Sequence, residues 1–240
     1  MKRWLAMSTV GAAALCLAAP SWAQPQLQLS WPSYTAGVLA CNTQVQANSF
    51  TTARHETLYV FVTNLQASDV NIGTDVRLGI GPSTPDAWRF DDLGCQTGAG
   101  LAVDQAGIGK TCPSLKGTSP LPLSNFNFDA ISGKSELRLV IAYDPFTPTG
   151  PATKYVAWRV IFDHSFSVVG AGSPPATCGG AEVPVCISSN GSKINMQTGF
   201  AVAFQFLSPN DQYVTWNSIV DCSGVPTRPS TWGRLKGLYR

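Results

Sequence analysis

The sequence predicts an all-β protein, an antiparallel sandwich of immunoglobulin-like type braced by disulfides. Three observations predict it. Apolar and polar residues alternate with a period of two in several segments, which is how a strand places successive side chains on opposite faces. Glycine and proline are abundant, at 22 and 17 of 240 residues, while charged residues make up only 12%, so turn chemistry cuts the chain into short pieces. Six of the seven cysteines follow the first 23 residues, an even number suited to crosslinking.

The chain opens with Met1, Lys2 and Arg3, continues through an uncharged run to Ala19, and reaches Ser21 and Ala23 before Gln24. That order of positive start, short apolar stretch and small-x-small site is a secretory signal peptide over residues 1–23. The apolar run is short for a membrane span, and no later stretch is longer. Leu15 precedes Cys16 where a lipidation site needs a small residue. The predicted organisation is therefore a signal peptide (1–23), a β-sandwich domain (24–225) and a basic amphipathic tail (226–240), with no transmembrane segment after cleavage.

Four segments carry the strongest strand pattern. Residues 57–64 set Leu58, Val60 and Val62 against Tyr59 and Phe61. Residues 135–144 set Leu137, Leu139, Ile141 and Tyr143 against Arg138, Val140 and Ala142. Residues 154–163 set Val156, Trp158, Val160 and Phe162 against Tyr155, Ala157, Arg159 and Ile161. Residues 199–207 set Phe200, Val202, Phe204 and Phe206 against Ala201, Ala203 and Gln205. Both faces are apolar enough to place all four near the middle of their sheets. The Pro- and Gly-rich stretch 143–155 reads as a long hairpin loop. Asn190-Gly191 reads as a two-residue hairpin turn, since both residues accept positive φ. The segment 207–230 reads as a last strand followed by a linker, with Pro226 and Pro229 as stops.

Six cysteines admit 15 pairings. Spacing favours Cys178 with Cys186 and Cys95 with Cys112 across short glycine-rich loops, leaving Cys41 for Cys222. No C-x-x-C pair occurs, and His55 and His164 lie far from each other and from any cysteine, so the pattern points to no metal site and no cofactor.

Little in the sequence carries catalytic chemistry, and the expectation is no enzymatic activity and no catalytic residue. There is no G-x-S-x-G elbow. Asp163, His164 and Ser165 are adjacent, so a strand sends them to alternate faces and they form no triad by themselves. His55-Glu56 lacks a second histidine four residues on and reads as a polar turn. The carboxylates Asp91, Asp92, Glu136, Asp144, Asp163, Glu182 and Asp211 offer an acid pair for a polysaccharide hydrolase, the alternative reading, although turn-forming aspartate is the simpler account. Asp91, Asp92 and Asp104 suggest a weaker calcium loop. Trp31, Tyr34, Trp88, Phe90, Tyr213 and Trp216 fall near strand ends, as core packing or as a platform for a glycan or peptide.

Removing Lys2 and Arg3 leaves fourteen basic residues against fourteen acidic ones. Four of the basic residues, Arg228, Arg234, Lys236 and Arg240, lie in the last 13 positions, so the body holds ten bases and fourteen acids. Such a body is a poor partner for nucleic acid. The tail places Trp232, Leu235, Leu238 and Tyr239 along one stripe of a short helix capped by Ser230 or Thr231. With Gly233 and Gly237 inside, it is no stable helix alone and needs a docking surface, on its own domain or on an envelope component. It resembles the short Trp-Gly-x-Leu-Lys-x-Leu-Tyr/Phe endings of assorted exported bacterial proteins, a likeness of about ten residues that implies no activity. The expected role is an exported, non-catalytic binding or structural module of the cell envelope or extracellular space with a protein or glycan ligand. A surface-appendage subunit is the third reading.

Overall fold

The computed structural model describes residues 24–35, 38–41, 45–49, 55–81, 83–96, 100–108, 112–116, 120–150, 153–167, 178–198, 201–206, 213–217 and 222. The segments expected as signal peptide (1–23) and tail (226–240), with Trp232, Leu235, Leu238 and Tyr239, lie outside the described residues.

Fourteen strands are described: β1 (Gln26–Ser30), β2 (Tyr34–Thr35), β3 (Val38–Leu39), β4 (Ala47–Asn48), β5 (His55–Thr63), β6 (Asn71–Gly81), β7 (Leu101–Asp104), β8 (Leu121–Asp129), β9 (Lys134–Phe146), β10 (Tyr155–Asp163), β11 (Val185–Ser189), β12 (Lys193–Thr198), β13 (Ala201–Phe206) and β14 (Tyr213–Trp216). Two sheets face each other as a sandwich. Sheet 1 runs β1-β5-β10-β7. Sheet 2 runs β13-β12-β6-β11-β14-β4, with β9 on the other edge of β6 and β8 beyond β9. Pairing between these strands is antiparallel except for β4 with β14. The all-β sandwich and the crosslinking of all six cysteines are as the sequence predicts.

The interior follows from alternation. Leu58, Val60 and Val62 of β5 meet Val76, Leu78 and Ile80 of β6 and Leu137, Leu139 and Ile141 of β9 in one buried cluster. Four tryptophans, Trp31, Trp88, Trp158 and Trp216, are fully buried there. Three have a partner for the indole N–H: Trp31 donates to the Thr215 carbonyl at 3.0 Å, Trp158 to the Thr74 hydroxyl at 3.1 Å and Trp216 to the Ala181 carbonyl at 2.6 Å. The aromatic readings for Trp31, Trp88 and Trp216 thus resolve as core. Phe90 and Tyr213 are half-buried, and the Tyr34 side chain lies outside the described residues.

Several expectations are corrected. A β-bulge between Val156 and Trp158 puts Trp158 opposite Val60 and turns Val156 to the outer face of sheet 1. The stretch 143–155 is no hairpin, because β9 belongs to sheet 2 and β10 to sheet 1. Asn190-Gly191 is no hairpin either. β11 and β12 both run antiparallel to β6, β11 beside Leu78–Gly81 and β12 beside Asn71–Asp75. Gly191, at φ 71, inserts one residue between them, and Ser192 Oγ accepts the Arg77 N–H at 3.0 Å across the gap. β13, expected mid-sheet, pairs only with β12 among the described residues. His55 and Glu56 belong to β5 instead of a preceding turn.

The disulfides are also paired differently from the expectation: Cys41–Cys112, Cys95–Cys178 and Cys186–Cys222, with Cα separations of 5.8, 5.5 and 5.8 Å. Sequence proximity misled because the short loops do not fold back on themselves. Each cysteine instead meets one far along the chain, at sequence separations of 71, 83 and 36 residues.

Gly73 sits where β6 passes β9, and a Cβ there would run into the Ile141 carbonyl oxygen. Backbone, unlike a side-chain end, cannot swing aside. Gly73→Ala should therefore lower stability by roughly 2–4 kcal/mol, on the scale of overpacking plus lost ladder bonds, read as a fall in the urea midpoint at unchanged m-value.

Candidate functional site

The two outer faces of the sandwich are treated differently. On sheet 1, Tyr59 and Phe61 point outward yet are buried, because Cys41, Ile108, Cys112 and Val156 cover them. The Cys41–Cys112 bridge straps two loops over that face. The Lys154 ammonium lies 4.1 Å from the Phe61 ring centre, and burial pushes its pKa down. Past the strap, His55, Thr57, Leu101, Ile161 and Asp163 line an open depression of about 460 Å³.

His55 and Asp163 of that depression and the neighbouring Ser165 stand in the wrong order for nucleophilic catalysis. His55 Nε2 is 3.4 Å from Asp163 Oδ2. Asp163 Oδ1 accepts the Ser165 N–H at 2.9 Å and also the Ser165 hydroxyl. The carboxylate therefore stands between serine and histidine. An activated serine needs the imidazole beside its hydroxyl and the carboxylate behind the imidazole. His164 faces the interior instead. Its ring packs on Trp88 at 4.8 Å and on Phe90 at 5.6 Å, and its Nδ1–H reaches the Ala87 carbonyl at 2.9 Å. Burial lowers its pKa to about 4, so it is neutral at pH 7.

The other candidate acids are scattered. Asp91 is bound by Arg89 at 2.8 Å, and Asp104 by Arg159. Glu136 and Asp144 lie eight residues apart on one strand, about 26 Å by strand geometry. Glu182 sits in a surface turn, and Asp211 lies outside the described residues. Among the described residues no three His, Cys, Asp or Glu side chains come together as metal ligands.

Sheet 2 presents a broad outer face. Across it run Leu121, Leu123, Asn125 and Asn127 of β8, beside Ala142, Val140, Arg138 and Glu136 of β9. Next come Gly73, Asp75, Arg77, Gly79 and Gly81 of β6. Leu121 and Leu123 are 73% and 71% exposed, values that matter because β8 has no charge before Asp129. At Gly81 no atom stands within 4 Å of the Cβ position, and at Gly79 only Ser188 touches it, near 4 Å. Missing side chains on a central strand leave a shallow trough where a partner's backbone or a flat ring can approach. Charges fix the middle. Arg138 donates two hydrogen bonds to Asp75 at 3.0 and 2.9 Å, with Arg77 at 3.5 Å. Burial opposes ionisation of Asp75, but those two arginines outweigh it and hold the carboxyl below the ordinary aspartate range.

Sequence reasoning missed this face. In 71–81, Thr74, Val76, Leu78 and Ile80 alternate with Gly73, Asp75, Arg77, Gly79 and Gly81, a clean period of two. The glycines read as turn punctuation when they are strand positions without side chains. The Leu121–Asp129 strand was missed too, although Phe126 and Phe128 alternate with Asn125 and Asn127.

No protein family matches the chain in sequence, and no curated protein does. Among solved structures, it is similar to the sixth cohesin of scaffoldin B from Acetivibrio cellulolyticus, crystallised with a mutant Cel5 dockerin. Identity there is 10% at a TM-score of 0.38, covering 81% of this chain and 98% of that one. It is similar also to a type II cohesin domain from the cellulosome of the same organism, at 12% identity and a TM-score of 0.36, covering 81% of this chain and 95% of that one. Likeness at that level carries no argument, and the site stands on its own residues.

Proposed function

We propose that the chain is an exported, non-catalytic binding or structural module of the cell envelope or extracellular space, which takes a partner protein on the outer face of sheet 2. The observation that supports this is the contrast between the faces. Sheet 1 has its outward aromatics covered by a disulfide-bonded strap, while sheet 2 leaves Leu121 and Leu123 in solvent toward one end of its outer face, level with Gly73 and Asp75, and an open trough at Gly79 and Gly81 toward the other. Among the described residues β8 is an edge strand with no charge before its last residue, Asp129; such edges are ordinarily blunted by lysine, proline or a bulge, and here Pro122 stands near its start. A glycan is the weaker fit, since sugar platforms use exposed aromatic faces and Trp31, Trp88 and Trp216 are interior.

The test is site-specific photocrosslinking in the native envelope, with a benzophenone side chain replacing Leu123, Val140 or, as control, Thr57. Positions 123 and 140 should each yield one discrete heteromeric adduct, and Thr57 none. Gly79→Trp, which fills the trough without backbone strain, should lower the yield about tenfold, the loss expected from excluding one buried side chain. Equal labelling from Thr57, or no adduct from 123, would overturn the reading.

A further inference from the structure

We infer that the C-terminal segment 230–240 docks on the outer face of sheet 2 of its own chain and so competes with the partner proposed for that face. This rests on the preceding reading only in the word "competes"; the docking stands on separate observations.

The first is the anchor. Val185 and Ile187 point into the core, so Cys186 between them points outward, and it pairs with Gly81 in the ladder. The Cys186–Cys222 bridge therefore fixes residue 222 on the outer face at the head of the glycine trough. The rest of the chain starts there.

The second is reach. Residues 223–229 span at most about 23 Å when extended. The next eleven residues add about 16 Å as helix. From Gly81 to Gly73 along β6 is about 26 Å, and from β6 across to β8 about 10 Å. Leu121 and Leu123 are within range without stretching the chain.

The third is chemical fit. The tail brings Trp232, Leu235, Leu238 and Tyr239 with Arg228, Arg234, Lys236 and Arg240, and no acid. The face offers Leu121, Leu123 and Val140 for the apolar stripe and the open trough for an indole. Its charges are mixed: Asp129, Glu136 and Asp144 against Lys134 and Lys193, with Asp75 already engaged by Arg77 and Arg138. The complementarity is that of the whole body, ten bases against fourteen acids, with a wholly cationic segment. A tether this short gives an effective concentration near the millimolar range, so even a weak contact is populated.

The experiment uses the purified, oxidised full mature chain with the benzophenone at position 123. Mass spectrometry should find a link within the monomer to a peptide containing Leu235–Tyr239. The pair Leu235→Asp/Leu238→Asp should lower its yield about tenfold with unchanged circular dichroism and melting temperature. A crosslinked dimer as the main product, or no link to 230–240, would overturn the inference. In the native envelope the same pair should raise the partner adduct about tenfold. If the partner adduct forms without the internal link, only this inference falls. If the internal link forms and no partner adduct appears in any variant, only the partner reading falls.

Discussion

Replacing Cys95 and Cys178 together with serine should lower the unfolding free energy by about 4.5 kcal/mol, the chain-entropy value for a crosslink across 83 residues. The bridge joins two loops that cap one end of the sandwich. Beneath it, Gln96 Nε2 donates to the Ala87 carbonyl at 3.3 Å and the Ala87 N–H to the Gly179 carbonyl at 3.0 Å. Trp88, buried at the centre of that cap, touches Phe162 at 5.2 Å and Trp216 at 5.3 Å. Guanidinium titration followed by tryptophan fluorescence measures the loss. A change under about 1 kcal/mol would mean that the caps hold by packing alone.

The second large effect is a loss of stability in mild acid. His164 is neutral in the folded state, with its pKa lowered from 6.5 to about 4 by burial; hydrogen bonding to Ala87 and the charge of Asp163 only partly oppose that. As pH falls below 6.5 the unfolded chain takes the proton first. The full stability is present above pH 6.5 and drains away down to about pH 4, a total of about 3 kcal/mol. Below that the carboxylates Asp75, Asp91 and Asp104, all lowered from 3.8, add losses of the same sign. His164→Phe should flatten the slope between pH 6.5 and 4, and the Ala87 carbonyl would keep its Gln96 bond. Urea titrations at pH 7 and 4.5 on both proteins decide it.

How much of this was legible varies with the kind of signal. β5 and β9 follow from alternation because each buries one face against the other sheet. β10 was legible except at Val156, where a bulge changes the phase and no local residue announces it. Asn190-Gly191 was read for its local turn preference, and the left-handed glycine is there, yet β6 supplies a continuous edge that makes the kink cheaper than a reversal. The cysteine pairing was illegible in principle: 15 arrangements differ only in tertiary proximity. The face of sheet 2 went unread because its most telling positions, Gly79 and Gly81, signal by what they lack.

The sandwich closes on strands from opposite ends of the described chain. Trp31 is bonded to the Thr215 carbonyl, and β4 lies against β14. A polypeptide delivered in order from the ribosome cannot seat Trp31 in this way until β14 has been synthesised. Until then it stays threadable, and afterwards such distant pairings form over milliseconds to seconds.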